Sequence, residues 1–222
     1  MYRHRNRDGS DIALPVGKVV CVGRNYLDHI QELRNAVPET PVLFMKPATA
    51  LAPLEEPIHL PAGQGRCHHE VELAVLIGQT LKQVDTATAR GAVAGYGVAL
   101  DLTLRDVQDG LKAKGLPWER AKAFDGSCPL SRFIAPTQLA DPQHTPLALA
   151  VNGTIRQQGD TAQMMTGIVD LIAHISQSFT LSPGDVVLTG TPAGVGELQG
   201  GDDLLLSLGD WTIATRVADK LS

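Results

Sequence analysis

Two glutamates lie one residue apart in the apolar segment HEVELAVLIG at residues 69–78. Side chains alternate between the two faces of an extended strand, so Glu70 and Glu72 point to the same side as Ala74 and Leu76. Two partly buried carboxylates repel each other and hold a proton at neutral pH unless a cation compensates them. The spacing therefore indicates a metal site. A solvated strand face is the simpler alternative, and the apolar Ala74 and Leu76 disfavour it.

Asp101 is a third candidate ligand, because it ends the apolar segment GYGVALDL at residues 95–102. An aspartate between a strand and a helix can bind metal or can be an exposed turn residue, and the local sequence leaves both open. Three carboxylates favour a hard cation, Mg²⁺ or Mn²⁺. In a second interpretation His68, Glu70 and Glu72 share one strand face and resemble a two-glutamate, one-histidine site for iron or zinc.

The composition favours small-molecule chemistry. A chain of 222 residues suits one large domain or two small ones. The net charge of −5 and the lack of a Lys/Arg-rich run argue against binding to nucleic acid or to an anionic membrane. Cys21, Cys67 and Cys128 are too widely spaced to indicate disulfides or zinc, so we expect reduced packing residues. The polar start and the lack of a long apolar run predict an unprocessed, soluble, cytoplasmic protein.

The elements that must position the carboxylates are mainly strands. Asn152-Gly153 supplies the positive φ angles of a two-residue turn and predicts a hairpin over 147–157. Helical spacing predicts helices over 26–34, 103–113 and 167–179. Because strands outnumber helices and do not alternate with them, we expect a β-rich α+β fold rather than a doubly wound sheet. Short apolar stretches predict the strands at 19–22, 42–45, 71–77, 96–102, 147–151, 186–189, 204–208 and 212–217.

Further motifs accompany the carboxylates along almost the whole chain. They are VCVGRNY at 20–26 with Asp28 and His29, FMKP at 44–47, HHEVEL at 68–73, Asp101 with RDVQ at 105–108, GLPW at 115–118, Lys122 and TGTPAGVG at 189–196. With these motifs the chain resembles the fumarylacetoacetate hydrolase family. The resemblance is closest to the small single-domain branch of acylpyruvate hydrolases and fumarylpyruvate hydrolase-like proteins.

The resemblance implies a fold, a cofactor and an assembly. It implies a mixed β-roll of the fumarylacetoacetate hydrolase C-terminal domain type with a few peripheral helices. Residues 1–222 would form one catalytic domain, with residues 1–15 as a candidate mobile N-terminal extension, and two chains would pair as a homodimer. Glu70, Glu72 and Asp101 would bind Mg²⁺ or Mn²⁺.

The resemblance also gives roles to residues that are ordinary on their own. Asn25 can cap a helix on which His29 and Glu32, three residues apart, share one face. By themselves they would be a surface pair; the resemblance makes them a general base and the carboxylate that orients it, on a lid that orders when substrate binds. Lys122 would by itself be a solvated lysine, and the resemblance makes it a site residue that stabilises enolate charge.

The remaining candidates are substrate contacts. The glycine-rich segment at 189–196 lacks the GK[ST] of a phosphate loop, so we interpret it as a strand end that offers Thr191 and backbone amides to a substrate carboxylate, or as a tight turn. Arg24, Lys46, Arg105 and Gln108 are further candidates by resemblance, although surface polar residues look the same in sequence.

The activity predicted from these features is metal-dependent hydrolysis of the C–C bond of 2,4-dioxo acids. Substrates such as fumarylpyruvate or acetylpyruvate would yield pyruvate and a carboxylic acid after His29 activates a water molecule, as in aromatic catabolism. The alternatives are an oxaloacetate decarboxylase and an oxaloacetate keto–enol tautomerase, which use the same 2-oxo acid group. A non-catalytic, metal-stabilised metabolite-binding protein is less consistent with the His29 and Glu32 pair.

Overall fold

The computed structural model describes residues 2–219. The strands are β1 (Val19–Gly23), β2 (Val42–Lys46), β3 (Leu51–Pro53), β4 (Cys67–His69), β5 (Val71–Ile77), β6 (Val93–Leu100), β7 (Thr103–Leu104), β8 (Cys128–Leu130), β9 (Pro146–Val151), β10 (Thr154–Asp160), β11 (Val186–Leu188), β12 (Gly196–Glu197), β13 (Asp203–Leu208) and β14 (Trp211–Arg216). The α-helices are α1 (Leu27–Glu32), α2 (Thr86–Gly91), α3 (Arg105–Ala113), α4 (Glu119–Lys122) and α5 (Ile168–Ser178). Across 2–219, no helix has both the length and the apolar character that a membrane crossing needs.

A seven-stranded sheet in the order β2-β1-β11-β5-β6-β8-β3 forms the centre of the molecule. It is mixed, because β1 pairs with β11 and β3 with β8 in parallel while the other pairs are antiparallel. Every residue of β5 is buried. Val71 and Leu73 belong to one apolar core, and Ala74 and Leu76 belong to the core on the other face. The alternation predicted for this strand, and with it a β-rich α+β fold, is confirmed.

A second sheet, in the order β10-β9-β13-β14, packs against the larger core together with α5. The predicted hairpin is present, because Asn152 and Gly153 have φ angles of 51° and 76°. The pairing of β10 with β9 is irregular between Ile155 and Gln157. Such a bulge redirects the side chains that follow it, and here Gln157 is fully buried.

A small third sheet, β12-β4-β7, joins the ends of two long strands of the central sheet. β4 leads directly into β5, and β7 follows β6. The backbone N–H of Asp101 donates to the carbonyl oxygen of Glu70 over 2.8 Å. The two connections between these strands, where Glu70 and Asp101 lie, are therefore held side by side.

Several predicted boundaries differ from the structure. The helix expected over 103–113 begins at Arg105, because Thr103 and Leu104 pair with β4 as β7. The helix expected over 26–34 covers only Leu27–Glu32, and it has no side-chain cap. Asn25 instead donates to the carbonyl oxygens of Thr166 and Thr189, at 3.0 and 2.9 Å.

The N-terminal segment lies against the central sheet. The Arg7 N–H donates to the Phe133 carbonyl, and the Phe133 N–H donates to the Arg5 carbonyl, each over 2.8 Å. His4 is buried, with Nε2 2.9 Å from the Gly184 carbonyl oxygen. These contacts place residues 4–7 against the sheet, and the mobility expected of residues 1–15 stays a prediction.

Candidate active site

Three carboxylates converge where β5 and β6 run side by side. One oxygen of each of Glu70, Glu72 and Asp101 lies within 4.8 Å of the others, and all three residues are buried. Glu72 lies in β5, Glu70 directly precedes this strand, and Asp101 directly follows β6. An all-oxygen set of this kind suits a hard divalent cation.

His68 does not belong to this cluster. Its Nδ1 accepts a hydrogen bond from Arg105 Nε over 3.3 Å. Burial, followed by the nearby charges of Arg105 and Arg66, lowers the pKa of His68 to about 4. The geometry therefore favours the three-carboxylate site over the two-glutamate, one-histidine alternative.

Two buried cations that line the cavity, Lys122 and Arg105, form ion pairs with two of the three carboxylates. Lys122 Nζ donates to Glu70 Oε2 over 2.7 Å and to Asp101 Oδ2 over 2.6 Å. Arg105 forms an ion pair with the other oxygen of Glu70. Burial alone would raise the pKa of Glu70, but Lys122 and Arg105 hold that pKa well below its usual range. Glu70 is therefore ionised at neutral pH.

Glu72 is the carboxylate whose charge is least compensated. Its Oε2 accepts a hydrogen bond from the Gly190 N–H over 2.6 Å, but within residues 2–219 no lysine or arginine forms an ion pair with it. Burial, and then the charges of Asp101 and Glu70, raise its pKa well above the usual value. A divalent cation would supply the missing positive charge, so the donor set and the charge balance both fit Mg²⁺ or Mn²⁺.

Lys46 does not face the cavity, although the sequence suggested a substrate contact. It is fully buried, and its Nζ lies 2.8 Å from Asp101 Oδ1. It also donates to the carbonyl oxygen and the hydroxyl of Ser127, both at 3.1 Å, and to the Lys122 carbonyl. Lys46 therefore supports Asp101 and the turn after Lys122 from behind.

The cavity above the carboxylates is small and opens to solvent. It brings together all the predicted site residues except Lys46 and Glu32, and Glu32 lies just behind His29. Lys112 and Trp118 also line it, and sequence reasoning gave them no role, although Lys112 follows Arg105 and Gln108 on the same face of α3. The predicted residues that line it with the three carboxylates are Arg24, His29, Arg105, Gln108, Lys122 and Thr191.

His29 and Glu32 lie together as predicted, but loosely. His29 Nδ1 is 3.5 Å from Glu32 Oε2, which is too long for a hydrogen bond. Both oxygens of Glu32 are also 3.1 Å from the Gly194 N–H. Burial is the main cause that lowers the pKa of His29, and Glu70 partly opposes it. His29 is therefore a neutral imidazole at pH 7, which is the form that accepts a proton.

The hydroxyl of Thr191 is occupied by protein groups. It donates to the Val71 carbonyl and accepts from Gln157 Nε2, both over 2.8 Å. If Thr191 contacts a substrate carboxylate as the sequence suggested, its hydroxyl proton is not available for that contact, because it is donated to Val71.

Gln157 is a buried polar residue that sequence reasoning missed. Its Oε1 accepts from the Val71 N–H over 3.0 Å and lies 2.9 Å from His69 Nδ1. An amide oxygen only accepts, so His69 carries its proton on Nδ1. Sequence reasoning had no signal for it: a regular two-residue hairpin would pair Gln157 with Ala148, and only the irregularity between Ile155 and Gln157 brings this residue opposite the buried Leu149.

The β-rich fold and the buried carboxylates beneath a small polar cavity are typical of a metal-dependent enzyme. Residues 18–218 match the family described as fumarylacetoacetate (FAA) hydrolase C-terminal. The chain belongs to the fumarylacetoacetate hydrolase family, as its motifs indicated.

Relatives within the family include tautomerases and a hydrolase. Oxaloacetate tautomerase YcgM of Escherichia coli (strain K12) is 59% identical over 218 residues, which cover 98% of this chain and 100% of that protein. Mitochondrial oxaloacetate tautomerase FAHD1 of Homo sapiens is 48% identical over 186 residues, 84% of each chain. The crystal structure of fumarylpyruvate hydrolase from Pseudomonas aeruginosa in complex with Mn²⁺ and pyruvate has a TM-score of 0.91 and 35% identity, covering 99% of this chain and 96% of that one.

These relatives correct the predicted activity. Acylpyruvate hydrolysis was expected as the main reaction, but the two oxaloacetate tautomerases are 59% and 48% identical to this chain and the fumarylpyruvate hydrolase 35%. The prediction that C–C bond hydrolysis is the main reaction is therefore wrong. The tautomerase alternative fits the relatives better.

Proposed function

We propose that this protein is a divalent-cation-dependent tautomerase that interconverts the keto and enol forms of oxaloacetate. The observation that carries the proposal is the 59% identity to the E. coli oxaloacetate tautomerase over 98% of this chain. The buried carboxylate cluster and a neutral histidine on the cavity wall supply the two things that enolisation needs. These are a place for negative charge on the 2-oxo oxygen and a group that moves one proton.

The bottom of the cavity would bind the 2-oxo acid end of the substrate. When Glu70, Glu72 and Asp101 hold Mg²⁺ or Mn²⁺, the cation stabilises negative charge on the 2-oxo oxygen. Arg105 and Gln108 lie next to one another, with Arg105 Nη1 donating to Gln108 Oε1 over 2.6 Å. This contact turns the amide NH₂ of Gln108 away from the guanidinium, so both residues can offer N–H donors to the C1 carboxylate.

His29 would move the proton. As a neutral base it removes a proton from carbon 3, the C–H electrons form the C2–C3 double bond, and the carbonyl electrons move to the 2-oxo oxygen. His29 then returns the proton to that oxygen, which gives the enol and the neutral histidine. Lys122, fixed by Glu70 and Asp101, adds positive charge beside the developing enolate. Glu32, 3.5 Å from Nδ1 of the imidazole, would close to hydrogen-bond distance and orient the ring when substrate binds, which leaves Nε2 for the transfer.

The test is the rate at which freshly dissolved enol-oxaloacetate loses its ultraviolet absorbance, with Mg²⁺, Mn²⁺ or EDTA present. We expect an acceleration above that of the free metal in buffer, and its loss in Glu72→Gln and in EDTA. Glu56→Gln, which changes an exposed glutamate in the same way, is the matched control and should keep full activity.

Pyruvate is measured in the same samples. If the protein releases pyruvate from oxaloacetate and does not accelerate the loss of the enol, the tautomerase proposal is wrong and the decarboxylase alternative replaces it.

The proposal also treats residues 1–222 as one catalytic domain that pairs as a homodimer. Light scattering of the purified protein tests that pairing.

A further inference from the structure

The cationic residues around the cavity fall into two pairs. Arg24, Arg105, Lys112 and Lys122 line the same cavity as the three carboxylates. Arg105 and Lys122 form ion pairs with those carboxylates. Within residues 2–219, no acidic side chain forms an ion pair with Arg24 or Lys112. Arg105 and Lys122 are therefore already paired with carboxylates of the protein, whereas Arg24 and Lys112 are available to a further anionic group of a ligand.

Lys112 is held in place without an acidic partner. Its Nζ lies 5.4 Å from the centroid of the Trp118 ring, a distance at which the ring face attracts a cation. Burial, and then the charges of Arg105 and Arg24, lower the pKa of Lys112, and Asp109 only partly offsets them. An anion between these cations would relieve this repulsion.

Arg24 is positioned by its backbone and by a neutral partner. Its φ angle of 62° lies in the left-handed region, which non-glycine residues rarely adopt and which marks a constrained position. Its Nη2 donates to Asn35 Oδ1 over 3.2 Å, a bond to an uncharged group. A Cβ at Gly23 would be 3.5 Å from the Trp118 ring, so one tryptophan contacts both the turn that carries Arg24 and the Lys112 ammonium.

We propose that Arg24 and Lys112 form a subsite for a second carboxylate, so that the site selects 2-oxo dicarboxylates over 2-oxo acids that end in an uncharged acyl group. This inference rests on the proposed function, because it places the 2-oxo acid end at the carboxylate cluster. The second carboxylate of oxaloacetate is attached to carbon 3, one bond beyond the reacting C2–C3 pair. This second carboxylate would point away from Glu70, Glu72 and Asp101 and toward Arg24 and Lys112.

The charge balance supports a dianionic ligand. Four cationic side chains face three carboxylates in the cavity, and a divalent cation would add two further positive charges. A substrate with one carboxylate would leave Arg24 and Lys112 partly buried and unpaired, which is unfavourable. Selection would therefore come from the cost of binding the wrong ligand as well as from attraction to the right one.

The test compares two ligands that differ in the second carboxylate. Malate and lactate are 2-hydroxy acids that do not enolise, and only malate carries the second carboxylate. Calorimetric titration of the Mg²⁺-loaded protein should show tighter binding of malate. In Lys112→Met we expect malate affinity to fall about tenfold, the loss of one charged hydrogen bond, while lactate affinity stays within about twofold.

Matched variants separate this role from folding and from general charge. Lys114→Met removes the same charge from an exposed position two residues away and should leave both affinities unchanged. Lys112→Arg keeps the charge and should retain the preference for malate. Arg24→Asn should lose the preference for malate as Lys112→Met does, because it removes the guanidinium group. Asparagine is chosen because it tolerates the left-handed backbone at this position.

The outcomes for the subsite and for the proposed activity are distinct. Equal weakening of malate and lactate in Lys112→Met, or no weakening of either, would show that the subsite is wrong even if the enzyme tautomerises oxaloacetate. A malate preference that Lys112→Met removes, in a protein that does not accelerate loss of the enol, would support the subsite and overturn the tautomerase.

Discussion

The two walls of the cavity are built differently. On the strand side, Glu70 and Asp101 are buried and held by short charged contacts to Lys122, Arg105 and Lys46. On the helix side, α1 has six residues and no side-chain cap, and the Nδ1 atom of His29 is 3.5 Å from Glu32. Within residues 2–219, that buried nitrogen has no hydrogen-bond partner.

This difference indicates a division of labour between the walls. The strand wall has its geometry before substrate arrives, as a metal site requires. The helix wall is short and, within residues 2–219, leaves the Nδ1 atom of His29 without a hydrogen-bond partner, so it can adjust when substrate binds. We therefore expect substitutions in the strand wall to change stability and substitutions in the helix wall to change turnover. The predictions below run from the largest expected change in stability to the smallest.

Lys46→Met is expected to be strongly destabilising. It leaves Asp101 buried without the cation behind it, and loss of one partner of a buried ion pair typically costs ~3–5 kcal/mol. Urea denaturation in EDTA measures the free energy of unfolding, with Lys114→Met as the control. A change below about 1 kcal/mol would contradict the view that Lys46 supports this wall.

Glu72→Gln is expected to change stability in the opposite direction. In EDTA it removes a buried carboxylate that no lysine or arginine compensates, so we expect the free energy of unfolding to rise by ~0.5–2 kcal/mol, as at other strained functional sites. The same denaturation with added Mg²⁺ or Mn²⁺ should show that the variant has lost metal stabilisation. A metal-free variant less stable than the parent would contradict this account of Glu72.

His29→Gln in the helix wall should leave stability within about 1 kcal/mol and reduce tautomerase turnover by ~10²–10⁴-fold, the usual contribution of a positioned base. Both quantities are measured on one preparation, so that a loss of folded protein is not mistaken for a loss of catalysis. Destabilisation as large as that of Lys46→Met would remove the distinction between the walls.

The pH dependence of the rate sharpens the same comparison without mutation. Burial lowers the pKa of His29 below its usual 6.5, so the neutral, proton-accepting form persists as the pH falls to that value. Activity in Mn²⁺ should therefore stay level from pH 8 to pH 6.5 and decline only below it, after subtraction of the His29→Gln rate. A decline that begins above pH 7 would indicate a different titrating group.

Sequence reasoning succeeded where the pattern was local. The period of two in β5 fixed the shared face of Glu70 and Glu72, and Asn152-Gly153 fixed the hairpin turn. Asp101 was ambiguous locally, because its role depends on the pairing of β6 with β5, which brings together residues distant in the chain. The motif resemblance supplied that contact and the family fold.

Other features could not be predicted because they depend on three-dimensional packing. The sequence around Lys46 does not distinguish a lysine that faces the cavity from one that is buried beneath Asp101. Strands of two or three residues, such as β7 and β12, are too short to show alternation. The resemblance pointed to the family and also to the wrong reaction, because members share the carboxylate cluster and differ in the residues around it.

The four hydrogen bonds of Gln157 connect parts of the molecule that belong to different sheets. Its side chain joins β10 to the start of β5 and to Thr191 and Pro192 beside the cavity. The second sheet therefore cannot open by local fluctuation without breaking bonds next to the carboxylate cluster. The hairpin and the site then form one cooperative unit, and slow amide exchange at Val71 would report the integrity of strands that lie outside the central sheet.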